Sequence, residues 1–215
     1  MPQIKHSFIL KAVYHMDFIF QIVILIFSIV IHEVSHGAVA FALGDPTAKN
    51  EGRLTLNPIS HLDFFGSILL PVITFISSGF IFGWARPVPY NPYNLKNQKY
   101  GPAMVGAAGP LSNFLIALVF GFLMRFSDVL NLPATFLEIA FFIAFLNLIL
   151  AVFNLVPIPP LDGSKVLFAL LPARSIELQA TLERYGIFIL LVFIFFFSGA
   201  ILPIVQFFLR LITGG

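Results

Sequence analysis

His32, Glu33 and His36 stand in HEVSHG, residues 32–37, between the apolar stretches FIFQIVILIFSIVI and AVAFALG. In a helix, residues four apart share a face, so the two imidazoles can point at one ion. Glu33 then sits within reach of a water bound to that ion. H-E-x-x-H on a helix is the arrangement of zinc hydrolases, with the glutamate as general base. Coincidence competes weakly: with five histidines in 215 residues, roughly 0.003 matches are expected per chain of this composition. Each ionisable group in an apolar span also costs about 2.5–3.5 kcal/mol on insertion scales, so such groups are functional by default.

Zinc wants a third protein ligand and an open position for water. The chain has no cysteine, which excludes a thiolate ligand and any disulfide framework. Asp162 lies in NLVPIPPLDG, residues 154–163, where Pro157, Pro159 and Pro160 cannot continue a helix. Broken backbone near a membrane is tolerated only inside protein or beside a water-filled cavity. VLFALL resumes after Asp162, which argues against a site out in solvent. On the residues alone, Asp162 is either a ligand or the aspartate of an ordinary Asp-Gly turn.

The elements that must position these groups are apolar. Hydrophobic residues make up 59% of the chain, charged ones only 10%, and mean hydropathy is +0.96. Soluble domains carry about 25% charged residues, so this is an integral membrane protein. Long apolar runs lie at about 18–43, 101–124, 133–156 and 185–209. A fifth, 64–85, is broken by Gly66, Pro71 and Gly79. The expected fold is an all-α polytopic membrane protein of four to five transmembrane helices, with 64–85 spanning or re-entrant. GRLTL, 52–56, alternates apolar and polar residues and reads as a short interfacial strand. One membrane-embedded domain covers residues 1–215, with a core of about 18–172 and a C-terminal helix of about 185–209.

The 12 basic residues are scattered singly at run ends, which fits anchoring in a lipid bilayer and gives no nucleic-acid surface. Lys5, Lys11 and the Ala38-Val39-Ala40 sequence imitate a secretory signal. The apolar part is too long for one, and cleavage would discard HEVSHG.

HEVSHG, GPLSN at 109–113 and NLVPIPPLDG, in that order, resemble the site-2 protease family of intramembrane zinc metalloproteases. The connectors GRLTLNPISHLDFFG and FGWARPVPYNP are similar to its compact branch, which lacks PDZ and CBS domains. The resemblance runs from about Ile31 to Gly163. It implies one Zn²⁺ held by His32, His36 and Asp162, Glu33 as catalytic base, and Asn154 as a supporting group for the substrate backbone or oxyanion. It also implies Asn113 on a core helix facing the site. The implied activity is regulated intramembrane proteolysis in the cell membrane, with a transmembrane protein as substrate. The alternative is a membrane zinc transporter or metal-dependent scaffold, against which Glu33 beside the ligands argues. His61 is either an interfacial residue beside Asp63 or a group that reaches the site; Glu138 and Arg86 read as anchors.

Basic residues divide eight to four across the membrane whether 64–85 spans or returns, so charge leaves the topology open. Depth favours one answer. His36 lies about 10 Å from the end of its run, and Asp162 follows the end of another. They meet most easily if both helices run the same way. That makes 64–85 re-entrant and puts the site nearer the cytoplasmic face.

Overall fold

A computed structural model of the chain describes residues 18–63, 69, 86–172 and 175–214. The helices are α1 (Phe18–Ala42), α2 (Thr47–Asn50), α3 (Gly101–Arg125), α4 (Ser127–Leu130), α5 (Ala134–Asn154), α6 (Asp162–Leu170), α7 (Ile176–Phe197) and α8 (Ile201–Thr213). The stretches Ile19–Ala42, Gly101–Arg125, Ala134–Asn154 and Ile176–Thr213 are long and apolar enough to cross a membrane. α1, α3 and α5 match the apolar runs to within two residues at each end.

Two expectations need correction. Residues 52–56 adopt turn and bend geometry, and no strand occurs among the described residues. Gly52 holds a left-handed φ of +65°, and the Arg53 guanidinium turns inward to the carbonyls of Ser60, Arg86 and Pro87. A residue that must point its long side chain into such a knot does not lie flat in a ladder. The C-terminal helix begins at Ile176 rather than near 185, and a 3₁₀ turn at Ser198–Ala200 splits it. The polar first turns of α7 hid its start from a hydropathy window.

α3 is the central helix. Its far half packs with α5 and α8 around Ala117, Phe141, Ala144, Leu148, Val205 and Leu209. In a bilayer, helices have no apolar driving force toward each other, so small residues that permit close packing matter; Ala117 and Ala144 serve here. Phe27, Phe195 and Phe196 stay exposed, as lipid-facing residues should.

Helix directions follow from contacts across the interfaces. Asn113 on α3 bonds Ser28 O on α1, and His36 on α1 bonds Val105 O on α3. α1 and α3 are therefore antiparallel. Asn147 on α5 bonds Ser28 Oγ, and the later part of α1 adjoins Asn154 at the end of α5, so these two are parallel, as the depth argument requires. The span-or-return question for 64–85 falls outside the described residues, Leu69 apart. Its flanks, however, stand together: Arg86 N–H donates to His61 O at 2.9 Å, and Lys96 N–H donates to Leu43 O at 2.9 Å.

Candidate metal centre

Three buried donors converge. His32 Nε2 lies 3.0 Å from Asp162 Oδ2, and His36 Nε2 lies 3.1 Å from the same oxygen. One ligand atom from each residue falls within a 4.8 Å group. α1 supplies both rings from one face, while the proline-broken chain after α5 delivers Asp162 to the first turn of α6. Gly163 makes that delivery feasible. A Cβ there would stand 2.2 Å from Leu155 O, so any side chain would push α6 off the end of α5.

The outer nitrogens decide what the inner ones can bind. His36 Nδ1 is 2.6 Å from Val105 O, a carbonyl that only accepts, so Nδ1 carries the proton. His32 Nδ1 faces Asn113 Oδ1, again an acceptor. Each ring thus turns its Nε2 toward the Asp162 carboxylate. At about 3 Å from a carboxylate oxygen, each Nε2 needs either its own proton or a shared cation between the two atoms. A tetrahedral ion with bonds of about 2.0 Å spaces its ligands by about 3.3 Å, close to the separations observed. The donor set of two imidazoles and one carboxylate fits zinc with one position left open.

Glu33 and Asn154 line the same cavity of about 170 Å³, with Lys165 at its edge. Glu33 Oε2 accepts the Val88 N–H at 2.9 Å. Asn154 Nδ2 donates to Leu150 O at 2.9 Å, so one of its two amide hydrogens is satisfied within its own helix. Asn113 does face the site, as expected. His61 does not join it: Nε2 donates to Thr55 O at 2.8 Å, Nδ1 has no partner, and the ring is buried near the Arg53 knot.

Several contributors escaped the sequence. Lys165 Nζ pairs with Asp162 Oδ1 at 3.0 Å, leaving Oδ2 for the histidines; the i,i+3 spacing on a helix was the available signal. Gly109 gives the rings room, since a Cβ there would meet both Nε2 atoms at 2.5 Å. Asn147 donates to Ile143 O and accepts from Asn113 Nδ2 at 2.7 Å; an asparagine in AFLNLIL was itself a sign of a buried partner.

The sequence profile of peptidase family M50 matches residues 128–197. YwhC of Bacillus subtilis, which carries a zinc-metalloprotease name, is 40% identical over 179 residues, covering 80% of this chain and 78% of YwhC. The chain belongs to peptidase family M50, the site-2 proteases. Rip2 of Mycolicibacterium smegmatis is 31% identical over 176 residues, 81% of this chain and 66% of Rip2. MJ0611 of Methanocaldococcus jannaschii is 34% identical over 154 residues, 70% of each chain. Both also carry zinc-metalloprotease names. No solved structure matches the chain. The protease is a zinc metalloendopeptidase and a multi-pass membrane protein, and zinc is its cofactor.

Proposed function

We propose that this site-2 protease hydrolyses a peptide bond in or near a transmembrane helix of another protein in the cell membrane, with His32, His36 and Asp162 holding one zinc ion. The observation that carries the reading is the convergence of two Nε2 atoms on Asp162 Oδ2 within a membrane-spanning helix. His36 lies six residues before Ala42, about 9 Å from the helix end at 1.5 Å per residue.

Zinc, when bound, supplies Lewis acidity toward a carbonyl oxygen and brings the pKa of a bound water to about 7. Glu33 takes the proton of the attacking water as its oxygen bonds the carbonyl carbon. The same carboxyl returns that proton to the leaving nitrogen as the C–N bond breaks. Val88 N–H holds the Glu33 carboxylate in place during both transfers. Asn154, on the cavity wall, takes the supporting role by exchanging Leu150 O for a substrate carbonyl. A backbone carbonyl inside a helix is hydrogen-bonded already, so the substrate must unwind locally, and helix-breaking residues near the scissile bond favour cleavage. A wider groove of about 800 Å³ shares Tyr90, Pro160 and Lys165 with the metal cavity and gives an unwound segment a path to it.

The test is cleavage of a panel of single-span proteins by the purified protease, before and after zinc removal and restoration. Asp162→Asn keeps the size and turn preference of the residue but loses the anionic oxygen. Zinc should bind more weakly and cleavage should nearly vanish. Full zinc occupancy with near-normal cleavage in Asp162→Asn would remove it from the ligand set.

A further inference from the structure

His32 and His36 are fixed by different means. The His36 ring meets a backbone carbonyl directly, and that carbonyl leaves only one tautomer. The His32 ring meets an amide side chain, Asn113, which could present either its oxygen or its NH₂ group. Something beyond Asn113 must choose.

Asn147 makes the choice. Its Nδ2 faces Ile143 O at 2.9 Å and Ser28 Oγ at 3.0 Å, so its own Oδ1 points the other way, toward Asn113. Ile143 O can only accept. Asn113 must therefore turn its Nδ2 to Asn147 Oδ1 at 2.7 Å, a direction reinforced by Ser28 O at 3.3 Å, a second obligate acceptor. Its Oδ1 is then left for His32. Polarity runs one way along this relay, from two backbone carbonyls through two amides to one imidazole. Both asparagines are fully buried, where an unmet amide group is costly.

We propose that Asn147 is a positioning residue that, through Asn113, holds the His32 proton on Nδ1 and so keeps Nε2 free for the metal. Asn147 lies outside the metal cavity and touches no ligand. It acts on zinc only through the direction of a hydrogen bond. The effect on zinc rests on the reading that His32 is a ligand; the effect on the tautomer does not.

The experiment uses the full chain in micelles with ¹⁵N-labelled histidine, the five ring signals being assigned by single substitutions. In the metal-free parent, Nδ1 of both His32 and His36 should carry a proton, whether or not Nε2 also carries one toward Asp162. In Asn147→Leu, His32 should shift toward Nε2–H while His36 does not, and zinc affinity should fall about 10–100-fold, as for other outer partners of metal ligands. Asn147→Asp, neutral when buried in apolar surroundings, can donate its hydroxyl to Ile143 O and accept from Asn113. It should restore both the tautomer and zinc affinity. A folded Asn147→Leu protein with the parent's His32 tautomer overturns the proposal. So does an Asn147→Asp protein as impaired as Asn147→Leu, since that outcome marks a packing role. If Asn147→Leu does not fold, Asn147→Ala, which only removes atoms, carries the same comparison. If His32→Ala binds zinc like the parent, the ligand assignment fails, and the tautomer of the metal-free protein still decides the role of Asn147.

Discussion

Glu33 Oε2 accepts the backbone N–H of Val88 at 2.9 Å, which ties the proposed base to the chain returning after residue 85. Glutamine offers the same carbonyl oxygen to that N–H but cannot take a proton. Glu33→Gln is therefore expected to keep the cavity and full zinc stoichiometry while losing about 10²–10⁴-fold in cleavage rate, the usual worth of a general base. Metal analysis beside a cleavage assay checks this. Loss of zinc as complete as in His32→Ala would make Glu33 a ligand.

Gly109 offers a sharper test of the geometry. Alanine is the best helix former, so Gly109→Ala should leave α3 intact by circular dichroism. Its Cβ would nevertheless stand 2.5 Å from both His32 Nε2 and His36 Nε2. Zinc binding should be abolished in a folded protein. Stoichiometric zinc in Gly109→Ala would show that the rings are placed otherwise.

Lys165 occupies Asp162 Oδ1 at 3.0 Å. Without it the carboxylate is free to swing or to chelate through both oxygens. Lys165→Met should lower cleavage about 10–100-fold, the usual cost of losing a partner of a metal ligand, and Lys165→Arg should recover part of it. Unchanged rates in Lys165→Met would mean that the pair is an incidental surface contact.

What could be read from the sequence divides along physical lines. Periodicity and hydropathy are local, so α1, α3 and α5 and the His32–Glu33–His36 face were legible. Asp162 is 126 residues from His36, and only the proline run and the family resemblance pointed to it. Gly109 stood in a quoted motif, yet a glycine's role appears only once the rings opposite it are placed. Asn147 was an amide in an apolar span, a readable sign passed over because no partner was adjacent. The Ser198–Ala200 break left no mark in hydropathy, since a window long enough to find a span averages three small residues with the Phe, Ile and Leu around them.

Asp45 gives a pH dependence. Burial works against its charge, but hydrogen bonds from Thr47, Asn94 and the Asn91 N–H hold its pKa below the ordinary value of 3.8. A depressed carboxylate contributes stability that is complete above its unfolded pKa and is lost as pH falls through the folded one. The stability difference between the parent and Asp45→Asn should be flat above about pH 5 and shrink below about pH 4. Thermal melts across that range measure it; a difference that grows on acidification would contradict the sign.

Antiparallel packing of α1 and α3 places the candidate metal centre at the same end of the bundle as Lys49, Arg53, Arg86, Lys96, Lys99, Lys165 and Arg184, whereas Arg125 lies beside Gly214 at the other end with Arg210 one turn away. Among the described residues that is seven basic side chains against two, and the positive-inside rule then favours the cytoplasm for the end that holds the site. A substrate helix cut level with His36 would leave only about six of its helical residues on the cytoplasmic piece, against the roughly 20 that a span requires. Such a stub cannot anchor. On the proposed function, the piece on the cytoplasmic side would become a diffusible protein, while the remainder would keep most of its apolar length and stay in the lipid.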